Sequence, residues 1–124
     1  MNGNRAVPKK VMIVDDDLTM NSLLKTLLEL DGYVVVQATH GDLVLSTALA
    51  EKPDAVLMDV FIAGANGMEL LREIRRHPEL RRLPVIMSSG MDMETESRSS
   101  GANAFILKPY PPEQLSSTLK KVIL

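Results

Sequence analysis

The sequence contains no cysteine and no tryptophan, and its aromatic residues amount to only 3% of the chain. The lack of cysteine excludes disulfide bonds and thiolate metal sites, and so few aromatic rings offer little surface for stacking nucleic-acid bases. The formal net charge of −2 provides no broad basic surface for nucleic acid. No apolar run approaches the roughly 18 residues of a membrane span. These absences favour a cytoplasmic protein that binds neither nucleic acid nor membrane directly.

The remaining composition is ordinary for one globular domain. A chain of 124 residues with 45% hydrophobic residues can bury a core without disulfides or structural metals. Residues 1–8 are polar and lack an apolar segment of the secretory type. We therefore expect residues 1–8 to be a flexible leader and residues 9–124 to form the domain.

Five short, continuous apolar runs predict five strands buried on both faces of a parallel sheet. These runs cover residues 11–14, 34–36, 55–58, 85–87 and 104–107. Apolar residues at helical spacing follow four of the five strands, whereas residues 92–100, after the fourth, are almost entirely polar. The fourth helix is therefore predicted to be short or marginal. Alternating strands and helices indicate a doubly wound α/β fold with helices on both faces.

Polar side chains follow four of the predicted strands, at the point where each strand ends. In chain order they are Asp15, Asp16, Asp17, Asp59, Ser88, Ser89 and Lys108. The carboxyl ends of parallel strands meet at one edge of the sheet, which is where open α/β folds bind their ligands. We therefore expect carboxylates, a hydroxyl and one ammonium to lie close together there.

Clustered carboxylates need a cation, because two unit charges about 4 Å apart repel by about 4 kcal/mol at an effective dielectric constant near 20. Oxygen ligands without histidine or cysteine favour Mg²⁺. Such an ion, together with Lys108, would neutralise the oxygens of a phosphoryl group during transfer. A carboxylate can itself be the nucleophile. Asp59, which stands alone at the end of its strand, is the candidate for that role.

Several short motifs stand in order at these strand ends. They are Val14-Asp15-Asp16-Asp17, Met58-Asp59, Asn66-Gly67, Pro84-Val85-Ile86-Met87-Ser88-Ser89-Gly90 and Lys108-Pro109. Through them the sequence resembles the receiver domain of bacterial two-component response regulators over residues 9–124. The resemblance implies a flavodoxin-like, five-stranded parallel sheet with strand order 2-1-3-4-5.

The resemblance also implies a role for individual residues. Asp59 would be the phosphoacceptor, and the Mg²⁺ ligands would be Asp15, Asp16, Asp59 and the backbone carbonyl of Phe61. Lys108 and Ser89 would contact the phosphoryl group, and Phe105 would be the aromatic residue that moves on activation.

The same resemblance implies partners. A histidine kinase or phosphotransfer protein would supply the phosphoryl group, and the domain would act as a signalling switch rather than as an enzyme. The output would be a homodimer or a downstream effector, bound through the face formed by the fourth helix, the fifth strand and the fifth helix.

Some features depart from the family pattern and keep an alternative open. The loop after Asp59 reads Ile62-Ala63-Gly64-Ala65 where relatives usually carry a Met-Pro pair, and the segment from Ser89 to Gly101 is short. A receiver-like scaffold that binds partners without being phosphorylated is therefore the competing interpretation. A phosphatase of the haloacid dehalogenase type is disfavoured, because its second aspartate would stand where this chain has Phe61.

Overall fold

In a computed structural model that describes residues 7–123, seven strands and five α-helices follow one another along the chain. The strands are β1 (Lys10–Val14), β2 (Val34–Ala38), β3 (Ala55–Asp59), β4 (Phe61–Ile62), β5 (Ala65–Asn66), β6 (Val85–Ser89) and β7 (Ala104–Leu107). The helices are α1 (Leu18–Leu30), α2 (Val44–Glu51), α3 (Gly67–Arg76), α4 (Glu94–Ser99) and α5 (Pro112–Val122). Residues 1–6 of the predicted leader lie outside the described residues.

Five of the strands form one parallel sheet in the order β2-β1-β3-β6-β7. This is the predicted order 2-1-3-4-5, because within residues 7–123 β4 and β5 pair with each other in a separate, small antiparallel hairpin. The flavodoxin-like fold is thus confirmed. The register places Val14 of β1 opposite Met58 of β3, so the residues that follow these two strands leave the sheet side by side.

Successive strand residues point to opposite faces of the sheet, and helices cover both faces. On one face, Met12 and Val14 pack with residues of α2 and α3; on the other, Val11 and Ile13 pack with residues of α1 and α5. All four of these β1 side chains are almost completely buried. Two covered faces explain why the strands read as continuous apolar runs, and each buried aliphatic side chain contributes about 1.5–3 kcal/mol.

Two of the helices, α1 and α3, begin at residues whose side chains accept hydrogen bonds from free backbone amides. Asp17 accepts a hydrogen bond from the Met20 amide at 3.1 Å at the start of α1, and Asn66 accepts one from the Met68 amide at 2.8 Å at the start of α3. The predicted weakness of the fourth helix is confirmed. α4 has only six residues, and in the part of the chain that the structure describes its N-cap residue, Met93, makes no capping hydrogen bond with its side chain.

Gly67, the first residue of α3, lies against the backbone at the end of β3, at the edge of the sheet that carries the polar residues. A Cβ atom added to Gly67 would lie 2.2 Å from the carbonyl oxygen of Asp59 and 2.9 Å from that of Val60. Since both oxygens belong to the backbone, neither can move aside cheaply. Glycine is therefore required here by the close approach of α3 to the end of β3. Among the described residues, no helix is both long enough and apolar enough to cross a membrane.

Candidate functional site

The candidate site lies at the carboxyl edge of the sheet, where β1, β3 and β7 end. Asp15 directly follows β1, Asp59 is the last residue of β3, and Lys108 directly follows β7. The two carboxylates come from adjacent strands, and Lys108 reaches them from the far edge strand across β6. The fold thus brings together three residues that are far apart in the sequence.

Lys108 connects the carboxylate of Asp15, which is buried, with that of Asp59, which is partly buried. Its ammonium nitrogen donates a hydrogen bond to a carboxylate oxygen of Asp59 at 2.9 Å and another to Oδ2 of Asp15 at 3.2 Å. The Asp15 and Asp59 side chains are only 5% and 12% exposed. In so shielded a place, the repulsion between two carboxylates is stronger than in water, and one ammonium offsets only part of it.

Asp16 completes an acidic cluster, defined here as Asp15, Asp16 and Asp59. One carboxylate oxygen from each residue lies within 4.8 Å of those of the other two. A magnesium ion with Mg–O bonds of about 2.1 Å separates opposite ligands by about 4.2 Å, so small side-chain movements would bring all three oxygens onto one ion. The donor set is purely carboxylate oxygen, which suits a hard divalent cation.

The β4–β5 hairpin adjoins the acidic cluster, and the sequence did not predict it. The Ala63 amide at its tip donates a hydrogen bond to Oδ2 of Asp16 at 2.9 Å, and the Ala63 carbonyl accepts one from the Gly41 amide at 3.1 Å. Gly64 has φ +82°, a conformation that other residues rarely adopt. The segment that departs from the family's usual Met-Pro sequence is therefore an ordered hairpin bonded to a candidate metal ligand.

The serines at the end of β6 are buried but lie differently. The Ser88 hydroxyl donates to the carbonyl of Ile106 at 3.0 Å, and Ser88 is opposite Asp59 in the sheet. The Ser89 hydroxyl accepts a hydrogen bond from the Met91 amide at 3.1 Å. Among the described residues, therefore, the hydroxyl expected to contact a phosphoryl group is bonded to the β6–α4 loop and not to the acidic cluster.

The two phenylalanines to which the resemblance gives a role lie in different surroundings. Phe105 lies in the middle of β7, opposite Met87, and is half-buried against the core layer that contains α2 and α3. Phe61 begins β4 two residues after Asp59, and the residue is 57% exposed. The role expected of the Phe61 carbonyl remains a prediction.

Burial has the largest effect on the pKa of Asp59. It raises the pKa of Asp59 to about 6; the hydrogen bond from Lys108 acts against this shift, whereas the charge of Asp15 adds to it. Burial alone would lower the pKa of Lys108, but its contacts with Asp59 and Asp15 outweigh burial and raise that pKa. Lys108 is therefore protonated at neutral pH. Asp59 can be ionised at that pH, but its ionisation costs free energy in the folded protein.

Comparison with known proteins identifies the family. Residues 11–120 match the response regulator receiver domain, and the chain belongs to that family of signalling domains. It is 34% identical over 117 residues to the protein PilH of Pseudomonas aeruginosa, covering 92% of this chain and 97% of PilH. Two longer transcriptional regulators match over only 48% and 52% of their own length.

Solved structures agree with this assignment. A crystal structure of a putative response regulator from Chloroflexus aurantiacus superimposes with a TM-score of 0.89 at 32% identity, covering 94% of this chain and 98% of that one. The receiver domain of the sensor histidine kinase PA1611 from Pseudomonas aeruginosa has a TM-score of 0.86 at 25% identity, with coverage of 94% and 98%. That structure is described as having a magnesium ion coordinated in its active-site cleft.

The raised pKa of Asp59 predicts how the stability of the metal-free protein depends on pH. Between the unfolded pKa of about 4 and the folded pKa of about 6, the folded state retains a proton that the unfolded state has lost. The free energy of unfolding should therefore fall as the pH rises through this window. Asp59→Asn removes the penalty, so this variant should be more stable than the wild type by about 1–3 kcal/mol at pH 7, with a smaller difference at pH 4.

Urea denaturation in the presence of a chelator measures this difference. Asp92→Asn is the matched control, because Asp92 is exposed and asparagine can still accept the hydrogen bond that the Glu94 amide donates to this side chain. The control should follow the wild type at every pH. An Asp59→Asn protein that is less stable than the wild type at pH 7 would contradict the assignment.

Proposed function

We propose that this domain is phosphorylated on Asp59 by a histidine kinase or phosphotransfer protein, in a magnesium-dependent reaction that switches a partner-binding surface. One observation carries the proposal: Asp59 shares a lysine with Asp15, and both lie within reach of a cation that Asp16 could also bind. A surface carboxylate that served only solubility would not require this arrangement.

Asp59 is the proposed nucleophile. One of its carboxylate oxygens attacks the phosphorus of a phosphohistidine, forming an O–P bond while the P–N bond breaks, and the histidine nitrogen retains the electron pair and takes up a proton. Asp59 must be ionised to attack, which its pKa of about 6 permits at neutral pH. Lys108, already 2.9 Å from Asp59, is placed to contact an oxygen of the arriving phosphoryl group.

The acidic cluster is the proposed magnesium site, with Asp15, Asp16, Asp59 and the backbone carbonyl of Phe61 as its ligands. When bound, the ion would neutralise charge on the carboxylates and on the phosphoryl oxygens during transfer. The related PA1611 receiver domain, whose structure is described as containing coordinated magnesium, supports this choice of metal. The Asp16 carboxylate also bonds to Ala63, so metal binding and the position of the β4–β5 hairpin are expected to be linked.

Ser89 gives the proposed switch a physical basis. Its hydroxyl accepts a hydrogen bond from the Met91 amide, so it can turn toward a phosphoryl group on Asp59 only if this bond breaks, which frees the β6–α4 loop to move. The new dianionic group, carrying about −1.5 to −2 charges, supplies the attraction for that turn. Phe105, one strand away and opposite Met87, is expected to change its packing as the loop moves.

The proposed output surface is the face formed by α4, β7 and α5. It carries the exposed apolar side chains of Leu107, on β7, and of Met91, in the loop before α4. α4 is short, and the Ser97 hydroxyl on it is buried with no hydrogen-bond partner among the described residues. Such a weakly held helix can shift at small cost. This face is therefore suited to pairing in a homodimer or to binding a downstream effector after phosphorylation.

The competing function is a scaffold that binds partners without being phosphorylated. The replaced Met-Pro segment and the short α4 are the features that favour it. The shared lysine and the three converging carboxylates favour phosphorylation, since a scaffold gains nothing from buried like charges.

Incubation with Mg²⁺ and acetyl phosphate distinguishes the two functions. Intact mass spectrometry should show one added phosphoryl group on the wild type and none on Asp59→Asn, because the amide is not a nucleophile for this reaction. The control Asp92→Asn should be modified like the wild type. A wild type that stays unmodified under conditions that phosphorylate other receiver domains would favour the scaffold.

Beryllofluoride, which mimics an aspartyl phosphate, tests the output surface. With Mg²⁺ it should change the oligomeric state, seen in sedimentation, if the α4–β7–α5 face forms a homodimer. Replacing the exposed Leu107 by Glu should abolish the change by placing a charge in the apolar contact. If Leu107→Glu leaves the change intact, the dimer does not use this face; if no change occurs, the surface does not serve homodimerisation.

A further inference from the structure

The side-chain hydroxyl of Tyr110 has no evident structural role in the part of the chain that the structure describes. It stands between Pro109 and Pro111, two residues after Lys108, and its ring packs against the core layer formed with α1 and α5. The hydroxyl oxygen is buried and has no hydrogen-bond partner among the residues that the structure describes. Buried polar groups nearly always find a partner, either in the protein or in an ordered water molecule.

A small cavity adjoins both Tyr110 and the acidic cluster. Its volume is about 10 Å³, and apolar residues of β1, α1 and β3 line it together with five polar residues, which are Asp15, Asp59, Ser88, Lys108 and Tyr110. One water molecule needs about this much space, together with two to four polar partners. The cavity therefore meets both conditions for holding a single water molecule.

The Lys108 ammonium has three hydrogens to donate, and the hydrogen bonds to Asp59 and Asp15 account for two of them. Ser88 donates its hydroxyl hydrogen to Ile106 and can still accept a hydrogen bond. Burial raises the pKa of Tyr110 to about 12, so its hydroxyl keeps its proton at neutral pH and can both donate and accept. A water molecule in the cavity would therefore find complementary partners in Lys108, Ser88 and Tyr110.

We propose that Tyr110 is a positioning residue: through one water molecule in this cavity, its hydroxyl holds the Lys108 ammonium against Asp59 and Asp15. The long lysine side chain ends in three freely rotating donors, and a third fixed partner restricts the directions that these donors can take. The consequence for phosphoryl transfer rests on the function proposed above, whereas the consequence for Lys108 itself does not.

The test compares Tyr110→Phe with Tyr33→Phe, the matching change at the only other tyrosine in the chain. Tyr33 is also partly buried in the core layer with α1 and α5, but it precedes β2 at the opposite edge of the sheet. Two measurements need no phosphodonor: the bound water in a high-resolution crystal structure, and the solvent exchange rate of the Lys108 ammonium hydrogens, measured by NMR. A third is the initial rate of phosphorylation by acetyl phosphate.

We expect a water molecule within hydrogen-bonding distance of both Tyr110 Oη and Lys108 Nζ in the wild type. In Tyr110→Phe the Lys108 hydrogens should exchange about fivefold faster and phosphorylation should slow by about the same factor, as for the loss of one hydrogen bond. Tyr33→Phe should change neither rate. A purely structural tyrosine would alter the melting temperature without altering Lys108.

The absence of that water from the wild type, or an unchanged Lys108 exchange rate in Tyr110→Phe, would overturn the proposal. If the wild type takes up no phosphoryl group, the proposed function fails, and the first two measurements still decide the role of Tyr110.

Discussion

The repulsion between Asp15 and Asp59 is the constraint around which this domain is organised. Two carboxylates with little exposure lie next to each other, and the Lys108 ammonium balances only one of their charges. Burial of the carboxyl group is the largest cause of the raised pKa of Asp59, and the charge of Asp15 raises this pKa further. An additional positive charge, or the replacement of one of the two carboxylates by a neutral side chain, would relieve the repulsion. The cation proposed for this site would supply the positive charge that Lys108 alone does not.

The register of the sheet maintains this arrangement. β1 and β3 are adjacent and end together, while β6 separates Lys108 from Asp59 by the width of one strand, a gap that its long side chain spans. Gly67 allows α3 to approach the backbone of Asp59 so closely that no side chain fits between them. The apolar core, formed by helices on both faces, makes these positions rigid. Functional precision at the edge of the sheet thus depends on packing in its interior.

Much of this structure could be predicted from the sequence, because continuous apolar runs identify buried parallel strands and the residues that follow such strands meet at one edge. That logic correctly brought Asp15, Asp59 and Lys108 together. It missed the β4–β5 hairpin, whose two-residue strands are too short to show a period; only Gly64 signalled a turn there. It also could not show that the Ser89 hydroxyl is bonded to Met91, since that depends on the path of the loop. Tyr110 was missed because an aromatic residue after Lys-Pro looks like ordinary core packing.

Metal binding tests the central claim most directly. Mn²⁺, a paramagnetic substitute for Mg²⁺, can be titrated into the ¹⁵N-labelled protein while amide signals are followed by NMR. The account predicts saturable broadening centred on the amides around Asp15, Asp16 and Asp59, reversed by excess Mg²⁺, weakened in Asp16→Asn and unchanged in Asp92→Asn. Broadening centred elsewhere, or equal in Asp16→Asn and the wild type, would contradict the existence of a shared cation site.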